Sequence, residues 1–205
     1  MKVGEISFAA IDFESAGTGP SLTDEPVQVA VAHWSGGDIT TVLNSYIAPT
    51  RAVTWAARKV HGISDIDLKN APPLFSLWPK LRDCLGGRWL VAHSASTEKR
   101  FLRAFPLHGF GPWLDTLWLA RAMYPRLASH ALGGACVELG LMESAELSAA
   151  GFRWHDAGSD AVASLVLLRH LLHEGNLMHE PAEVLCQRPL LTNYFEARRG
   201  RCRPG

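Results

Sequence analysis

The 205-residue sequence has no long hydrophobic run, and none of its apolar stretches reaches the roughly 20 residues of a membrane-spanning helix. Its first residues, MKVGEISF, also lack the basic start and apolar centre of a signal peptide. These absences predict a cytoplasmic protein without a membrane partner. With 47% hydrophobic residues, the chain still has enough apolar side chains for one sizeable core.

Paired cysteines are also absent. The four cysteines are widely scattered, and no two of them form a CxxC pair: Cys84, Cys136, Cys186 and Cys202. This spacing indicates neither a zinc site nor a disulfide framework, so reduced thiols are the default expectation.

The sequence has no excess charge of either sign, because 20 Lys and Arg residues balance 20 Asp and Glu residues. This balance is not typical of a nonspecific polyanion binder. The final segment differs, since it has five arginines against only Glu196: Arg188, Arg198, Arg199, Arg201 and Arg203. These arginines either contact a phosphate backbone or form a solvated, frayed tail, and the tail is the favoured interpretation.

The order of apolar patterns predicts an α/β protein. Three strands come first, in FAAIDFES, VQVAVAHW and ITTVLNSY. A polar, glycine-bearing stretch follows the first strand and an SGGD turn follows the second, which favours an antiparallel meander. Helices then alternate with short strands such as RWLVAH. The strongest helix is DAVASLVLLRHLLHE, in which residues at helical spacing should face the core: Ala161, Leu165, Leu168 and Leu172. The pattern therefore predicts a sheet covered by helices.

The first strand has two carboxylates in an otherwise apolar stretch. Side chains alternate along a strand, so Asp12 and Glu14 point to the same face. Burying two like charges together is costly unless a cation lies between them. A divalent metal ion is one explanation, and a strand edge at which both acids reach water is the other.

Two further acids follow predicted strands or begin predicted helices. Glu98 comes just after the strand of LVAHSASTEKRFL, and Asp160 begins the strongest helix. Taken singly, each is explained as an acid favoured at a helix N-terminus. Together with Asp12 and Glu14 they predict a cluster of four carboxylates, which matches the oxygen ligands that Mg²⁺ and Mn²⁺ prefer. Two such ions would favour phosphodiester hydrolysis.

In order and spacing, these segments resemble the DnaQ-like 3′-5′ exonucleases of the DEDDh type. The resemblance covers about residues 7 to 172 through IDFESAG, KVHGIS, LVAHSASTEKRFL, LDTLWLAR and HDAGSDA. It implies a ribonuclease H-like mixed sheet, with an antiparallel three-strand meander plus parallel strands, flanked by helices. It also implies metal-dependent removal of nucleoside 5′-monophosphates from the 3′ ends of DNA or RNA. An exonuclease domain over 1–175 and an extension over 176–205 are expected.

The resemblance also implies roles for individual residues. Four acids are the expected ligands of two Mg²⁺ or Mn²⁺ ions, with Asp12 bridging, and His155 is the expected general base, five residues before the last acid. The metal set is Asp12, Glu14, Glu98 and Asp160. The expected substrate contacts are Phe13, Ser15, Ala16, His61 and His93. Asp115 is a separate case, because it lies where a predicted strand gives way to a helix, and there capping of the helix is favoured over metal binding.

The sequence departs from the family pattern at one ligand, because Glu98 stands where the family has Asp. A displacement of about 1 Å at a catalytic group can cost about 100-fold in rate. An alternative function is therefore a nucleic-acid-binding or polymerase-accessory module with weakened catalysis. The extension, with LLTNYFEARR, is expected either to dock on a polymerase or to pack as a strap on its own core. The expected protein partner is a polymerase or a second copy of the chain in a homodimer.

Overall fold

The computed structural model describes residues 1–17 and 24–201, with the side chains of that range up to residue 197. Part of the polar stretch after the first strand, residues 18–23, lies outside the described residues. Cys202 and Arg203 also lie outside them, as do the side chains of Arg198, Arg199 and Arg201.

A five-stranded mixed sheet forms the centre of the fold, in the spatial order β3-β2-β1-β4-β5. The first three strands form the predicted antiparallel meander, and the last two run parallel to the first. The strands are β1 (Phe8–Ser15), β2 (Pro26–Trp34), β3 (Thr40–Tyr46), β4 (Trp89–Ala92) and β5 (Trp113–Asp115). The predicted mixed sheet is confirmed.

Helices cover both faces of this sheet. They are α1 (Trp55–His61), α2 (Trp78–Leu85), α3 (Ser96–Leu102), α4 (Thr116–Met123), α5 (Leu132–Glu138), α6 (Ala157–Glu174) and α7 (Arg188–Arg201). Short 3₁₀ helices span Val3–Glu5, Leu74–Leu77, Leu141–Glu143 and Ala182–Cys186. Pro79 lies in the first turn of α2, where a missing backbone N–H leaves no hydrogen bond unmade.

The alternation of β1 separates two hydrophobic cores. Phe8 and Ala10 face α6 in the larger core, whereas Ile11 and Phe13 face α2 and α3 in the second core. The four apolar residues predicted to face inwards from α6 are fully buried: Ala161, Leu165, Leu168 and Leu172. Asp12 and Glu14 continue the series Phe8 and Ala10 at intervals of two residues. They therefore point to the same face of the sheet, the one that α6 covers.

The segment after α6 packs on the larger core as a strap. Leu191 and Phe195 lie one turn apart on α7 and are both buried in that core. The Tyr194 hydroxyl donates a hydrogen bond to the Gly175 carbonyl at 3.0 Å. Up to Ala197 the segment is therefore a packed helix and not a frayed tail, because an apolar stripe fixes it. For the arginine side chains from residue 198 onwards the expected tail lies outside the described residues. The domain boundary at 175 stays a prediction.

Within residues 1–17 and 24–201, no helix is both long and apolar enough to cross a membrane. The cysteines of the same ranges are free thiols, and they are Cys84, Cys136 and Cys186.

Candidate active site

Asp12 and Glu14 lie where β1 extends beyond its neighbour β4. The pairing of β1 with β4 runs from Phe8 to Ala10, so the rest of β1 has no partner strand on that side. Both acids are half-buried. Their carboxylates therefore lie at the end of the sheet at which α3 and α6 begin.

Glu98 comes from α3, which starts four residues after β4 ends. Its side chain is only 4% exposed, and Oε2 is buried without a hydrogen-bond partner among the described residues. Burial, with smaller contributions from the charges of Asp115 and Glu14, raises the pKa of Glu98 to about 8. A surface acid that merely favours a helix N-terminus would not be buried in this way.

Asp115 anchors the loop that leads into α3. Its Oδ1 accepts hydrogen bonds from the backbone N–H of Leu117 at 3.0 Å and of Ser94 at 3.1 Å. The first of these bonds caps α4, which confirms the predicted role of Asp115. The second holds Ser94 in its left-handed conformation (φ 73°), so Asp115 also positions the segment from which Glu98 projects.

Asp160 and His155 come from the start of α6 and the loop before it. Asp160 Oδ2 accepts a hydrogen bond from the His155 backbone N–H at 3.2 Å, and Oδ1 is buried without a partner among the described residues. Burial is the main reason that the pKa of Asp160 rises to about 7. A carboxylate oxygen of Glu14, one of Asp160 and a ring nitrogen of His155 all lie within 4.8 Å of one another.

Electrostatic coupling joins the four acids into one cluster. Burial raises the pKa of Asp12 well above its ordinary value, and the charges of Glu98, Asp160 and Glu14 raise it further. Burial also raises the pKa of Glu14 to about 8, with Asp160 as the largest charge contribution. The structure thus brings together the four carboxylates that the sequence predicts.

This cluster suits divalent cations. Its donors are carboxylate oxygens, the hard ligands of Mg²⁺ and Mn²⁺, and two of them, Glu98 Oε2 and Asp160 Oδ1, are buried without a protein partner. The acids also repel one another, which positive charge would relieve. The residues therefore fit such ions, with the Glu14, Asp160 and His155 group as the most compact part.

The segment after Glu14 has small side chains and a backbone that is hydrogen-bonded to its neighbours, since the Ala16 N–H donates to the Glu25 carbonyl at 2.9 Å. Ser15 Oγ donates a hydrogen bond to the Gly17 carbonyl at 2.8 Å, and Ala16 is buried. The Phe13 side chain lies in the second core, 5.3 Å from the ring of Phe101, on the sheet face opposite to Asp12. The structure does not bring the Phe13 side chain to the site, because strand alternation points it away.

His61 and His93 both have protein partners at their two ring nitrogens. His61 Nε2 lies 3.1 Å from the Ser15 carbonyl, and its Nδ1 accepts a hydrogen bond from the Ile63 N–H. His93 lies 3.0 Å from Thr116 Oγ1 and 2.8 Å from the His130 carbonyl. These contacts favour positioning of the loop after Glu14 and of α4 over direct contact with substrate.

A buried polar group that the sequence reasoning missed anchors α6. Gln28, 3% exposed on β2, donates hydrogen bonds to Asp156 Oδ2 at 2.9 Å and to Asn44 Oδ1 at 3.0 Å. Its Oε1 accepts from the Ala157 N–H at 3.2 Å. These bonds fix the helix start that holds Asp160. In the sequence this contact is indicated by a single polar residue, Gln28, within the apolar strand VQVAVAHW.

The raised carboxyl pKa values predict how the stability of the metal-free protein depends on pH. For Glu14 and Glu98 the pKa rises from 4.5 to about 8. Between these values the folded protein binds more protons than the unfolded chain, so these acids lower the free energy of unfolding as pH rises. Histidines whose pKa is lowered by burial act in the opposite direction: His33, His61, His93 and His170.

The variant Glu14→Gln separates the two contributions, because it removes one acid and keeps the histidines. We expect its melting temperature in EDTA to exceed that of the unmodified protein by an amount that grows from pH 5 to pH 8. Scanning fluorimetry of both proteins over this range measures the difference. A constant or shrinking difference would contradict the raised pKa of Glu14.

Comparison with known proteins gives matches over most of the chain. The family model described as RNase_T, Exonuclease, matches residues 9–168. A PolC-type DNA polymerase III of Thermotoga maritima is 30% identical over 172 residues, which cover 81% of this chain and 12% of the polymerase. The 3′-5′ exonuclease DinG of Bacillus subtilis is 26% identical over 194 residues, 92% of this chain and 20% of the relative. The chain thus spans only a small part of these relatives.

Solved structures of exonucleases share the fold. Exonuclease X, in complex with 5′-overhanging duplex DNA, superposes with a TM-score of 0.69 at 21% identity, covering 92% of this chain and 99% of its own. The nuclease domain of 3′hExo, a DEDDh family member bound to rAMP, superposes with a TM-score of 0.66 at 14% identity. The match covers 88% of this chain and 98% of the 3′hExo chain. At these identities the likeness shows the fold alone, which confirms the predicted ribonuclease H-like architecture.

Proposed function

Because the chain belongs to the RNase_T exonuclease family, as its motifs predict, we propose that it removes nucleotides from nucleic-acid 3′ ends in a metal-dependent reaction. The products would be nucleoside 5′-monophosphates. The observation that carries the proposal is the cluster of four coupled carboxylates from β1, α3 and α6, with His155 beside it. Burial of such a cluster without cations is energetically unfavourable, and bound divalent cations accelerate phosphodiester hydrolysis.

The protein's own groups have distinct roles in this reaction. The four acids would hold Mg²⁺ or Mn²⁺, which when bound supply Lewis acidity to water and phosphate oxygens: Asp12, Glu14, Glu98 and Asp160. His155 would take the proton from the attacking water, a task that suits an imidazole near neutral pH. Its exposed side chain leaves it accessible to that water, and its backbone is held by Asp160.

The relatives support a 3′-end substrate. One is named a 3′-5′ exonuclease, and the solved neighbours include one complex with duplex DNA and one with rAMP. The proposed substrate is therefore the 3′ end of either DNA or RNA. The loop at Ser15 and Ala16 borders the acids and would lie beside the terminal nucleotide.

A 5′-labelled single-stranded oligonucleotide tests the proposal. With Mg²⁺ or Mn²⁺ the labelled strand should shorten stepwise, and chromatography should identify nucleoside 5′-monophosphates. A strand whose 3′ end is blocked by a phosphorothioate linkage should resist, and EDTA should stop the reaction. Well-folded protein that shortens neither DNA nor RNA with either metal would refute the enzymatic proposal.

The alternative, a binding or polymerase-accessory module with weakened catalysis, rests on Glu98 in place of the family Asp. It gains support from the PolC-type relatives, whose name is that of a polymerase. The burial of Glu98, with one oxygen unpartnered, instead supports an adapted metal ligand. Association with a polymerase or with a second copy of the chain stays a proposal, and copurification tests it.

The substitution Glu98→Asp distinguishes the two functions. Shortening the side chain by one methylene withdraws its carboxylate from the cluster, so we expect kcat to fall by about 100-fold. Steady-state cleavage with Mn²⁺ measures this change, and Glu143→Asp, on a short 3₁₀ helix, is a control that should leave the rate unchanged. A rate increase of orders of magnitude would instead indicate an impaired enzyme and favour the accessory function.

A further inference from the structure

Helix α1 is fixed beside the acidic cluster at both ends. At its start the Thr54 N–H donates a hydrogen bond to the Ala16 carbonyl at 2.9 Å, and at its end His61 lies 3.1 Å from the Ser15 carbonyl. Both acceptors belong to the loop that follows Glu14. The helix therefore has a defined position relative to the proposed catalytic centre, although its outer face is open to solvent.

That outer face presents an aromatic ring to solvent. The side chain of Trp55 is 76% exposed, and it is the only exposed tryptophan among the described residues. The Lys59 ammonium, one turn further along α1, lies 5.2 Å from the centre of the Trp55 ring. Arg58 is exposed on the same helix. A large apolar ring left in water next to cations is typical of surfaces on which nucleic-acid bases stack.

A further cation links this face to the His155 loop. Arg153 has a side chain that is 61% exposed, and one of its guanidinium nitrogens lies near Gly62, where α1 ends. The carboxylates after α1 are already hydrogen-bonded to the protein: Asp65 accepts from the Val53 N–H and Asp67 from the Ser64 N–H. Arg153 also lies 4.0 Å from Asp156 Oδ2, and Asp65 and Asp67 keep their negative charge, so the cations Arg58, Lys59 and Arg153 stand among acids between α1 and the catalytic loop.

We propose that α1, through Trp55, Arg58 and Lys59 and together with Arg153, binds the unpaired strand that leads to the 3′ end. Trp55 would stack on an exposed base, and the cations would contact phosphates. The inference rests on the proposed function. It commits to single-stranded nucleic acid, because the bases of a duplex present no free face for stacking. A protein partner on this surface is the competing outcome.

The test measures binding without catalysis. In EDTA, fluorescence anisotropy follows binding of a labelled oligothymidylate or oligouridylate to the unmodified protein and to Trp55→Ala. Stacking contributes about 1–3 kcal/mol per base, so the Kd should rise by roughly 5-fold or more. Trp55→Phe should recover most of the affinity, and the Kd for a blunt duplex should change by less than that for the single strand.

Phe75 provides the matched control, since it is also an exposed aromatic residue but lies on a 3₁₀ helix next to the second core. Phe75→Ala should leave the Kd for the single strand unchanged. Equal affinity of Trp55→Ala and unmodified protein would overturn the inference, and so would an equal loss for single strand and duplex. Because cleavage is not required, the binding surface can fail while the nuclease assay succeeds, and the reverse also holds.

Discussion

Asp12→Asn is expected to abolish metal-dependent cleavage. Asp12 is the acid whose carboxylate is coupled to all the others, so its loss removes the charge at the centre of the cluster. Metal ions contribute several kcal/mol to stabilising a phosphoryl transition state, and the rate should therefore fall by at least about 1,000-fold. Asn is nearly isosteric with Asp, so the sheet should keep its packing. The oligonucleotide assay with Mn²⁺ measures the loss.

The same substitution should stabilise the metal-free protein. It removes a buried carboxyl group whose ionised form is disfavoured by burial and by the neighbouring acids. The melting temperature in EDTA should therefore rise, and Mn²⁺ should no longer raise it. Asp38→Asn, in the turn between β2 and β3, is the matched control and should change neither quantity. Substantial cleavage by Asp12→Asn would show that the acids are not the catalytic centre.

His155→Asn is expected to lower kcat by about 100-fold or more, the usual contribution of a general base. Asn is the appropriate substitution because His155 has a positive φ of 60°, a conformation that Asn tolerates better than Ala. The backbone bond to Asp160 is retained, so the melting temperature should change little. Single-turnover cleavage measures the rate, and calorimetric titration measures Mn²⁺ affinity.

Metal affinity decides between two roles of His155. Its ring nitrogen lies within 4.8 Å of carboxylate oxygens of Glu14 and Asp160, so ligation of an ion is the competing role. A general base predicts nearly unchanged Mn²⁺ affinity in His155→Asn. A large loss of affinity would instead identify a metal ligand, and cleavage at the unmodified rate would exclude both roles.

The sequence predicts the acidic cluster because its members are anomalies in local patterns. Asp12 and Glu14 interrupt an apolar strand, and Glu98 and Asp160 follow strand or loop boundaries at which elements of an α/β sheet meet. Such positions are informative because burying a charge requires a compensating reason. The strand meander and the buried face of α6 are predicted for the related reason that apolar periodicity reports burial.

Other features depend on tertiary contacts that no local pattern reports. The hydrogen bond from Gln28 to Asp156 joins residues that are 128 positions apart, so only the folded chain brings the two side chains together. The helix α7 has many arginines in its sequence. It is fixed by the buried side chains of Leu191 and Phe195, and two apolar residues are too few to predict a buried helix face. Phe13 fits a substrate motif by its position, but strand alternation places its ring in the opposite core.

Crystals of the protein grown with Mn²⁺ and a nucleoside 5′-monophosphate provide the most direct test of the acidic cluster as the nuclease centre. Anomalous diffraction should locate manganese among Asp12, Glu14, Glu98 and Asp160, with the nucleotide phosphate as a further ligand. His155 should lie near a metal-bound or phosphate-proximal water without ligating the ion. Manganese that is absent from these carboxylates, or a nucleotide bound elsewhere on the protein, would contradict the proposed centre.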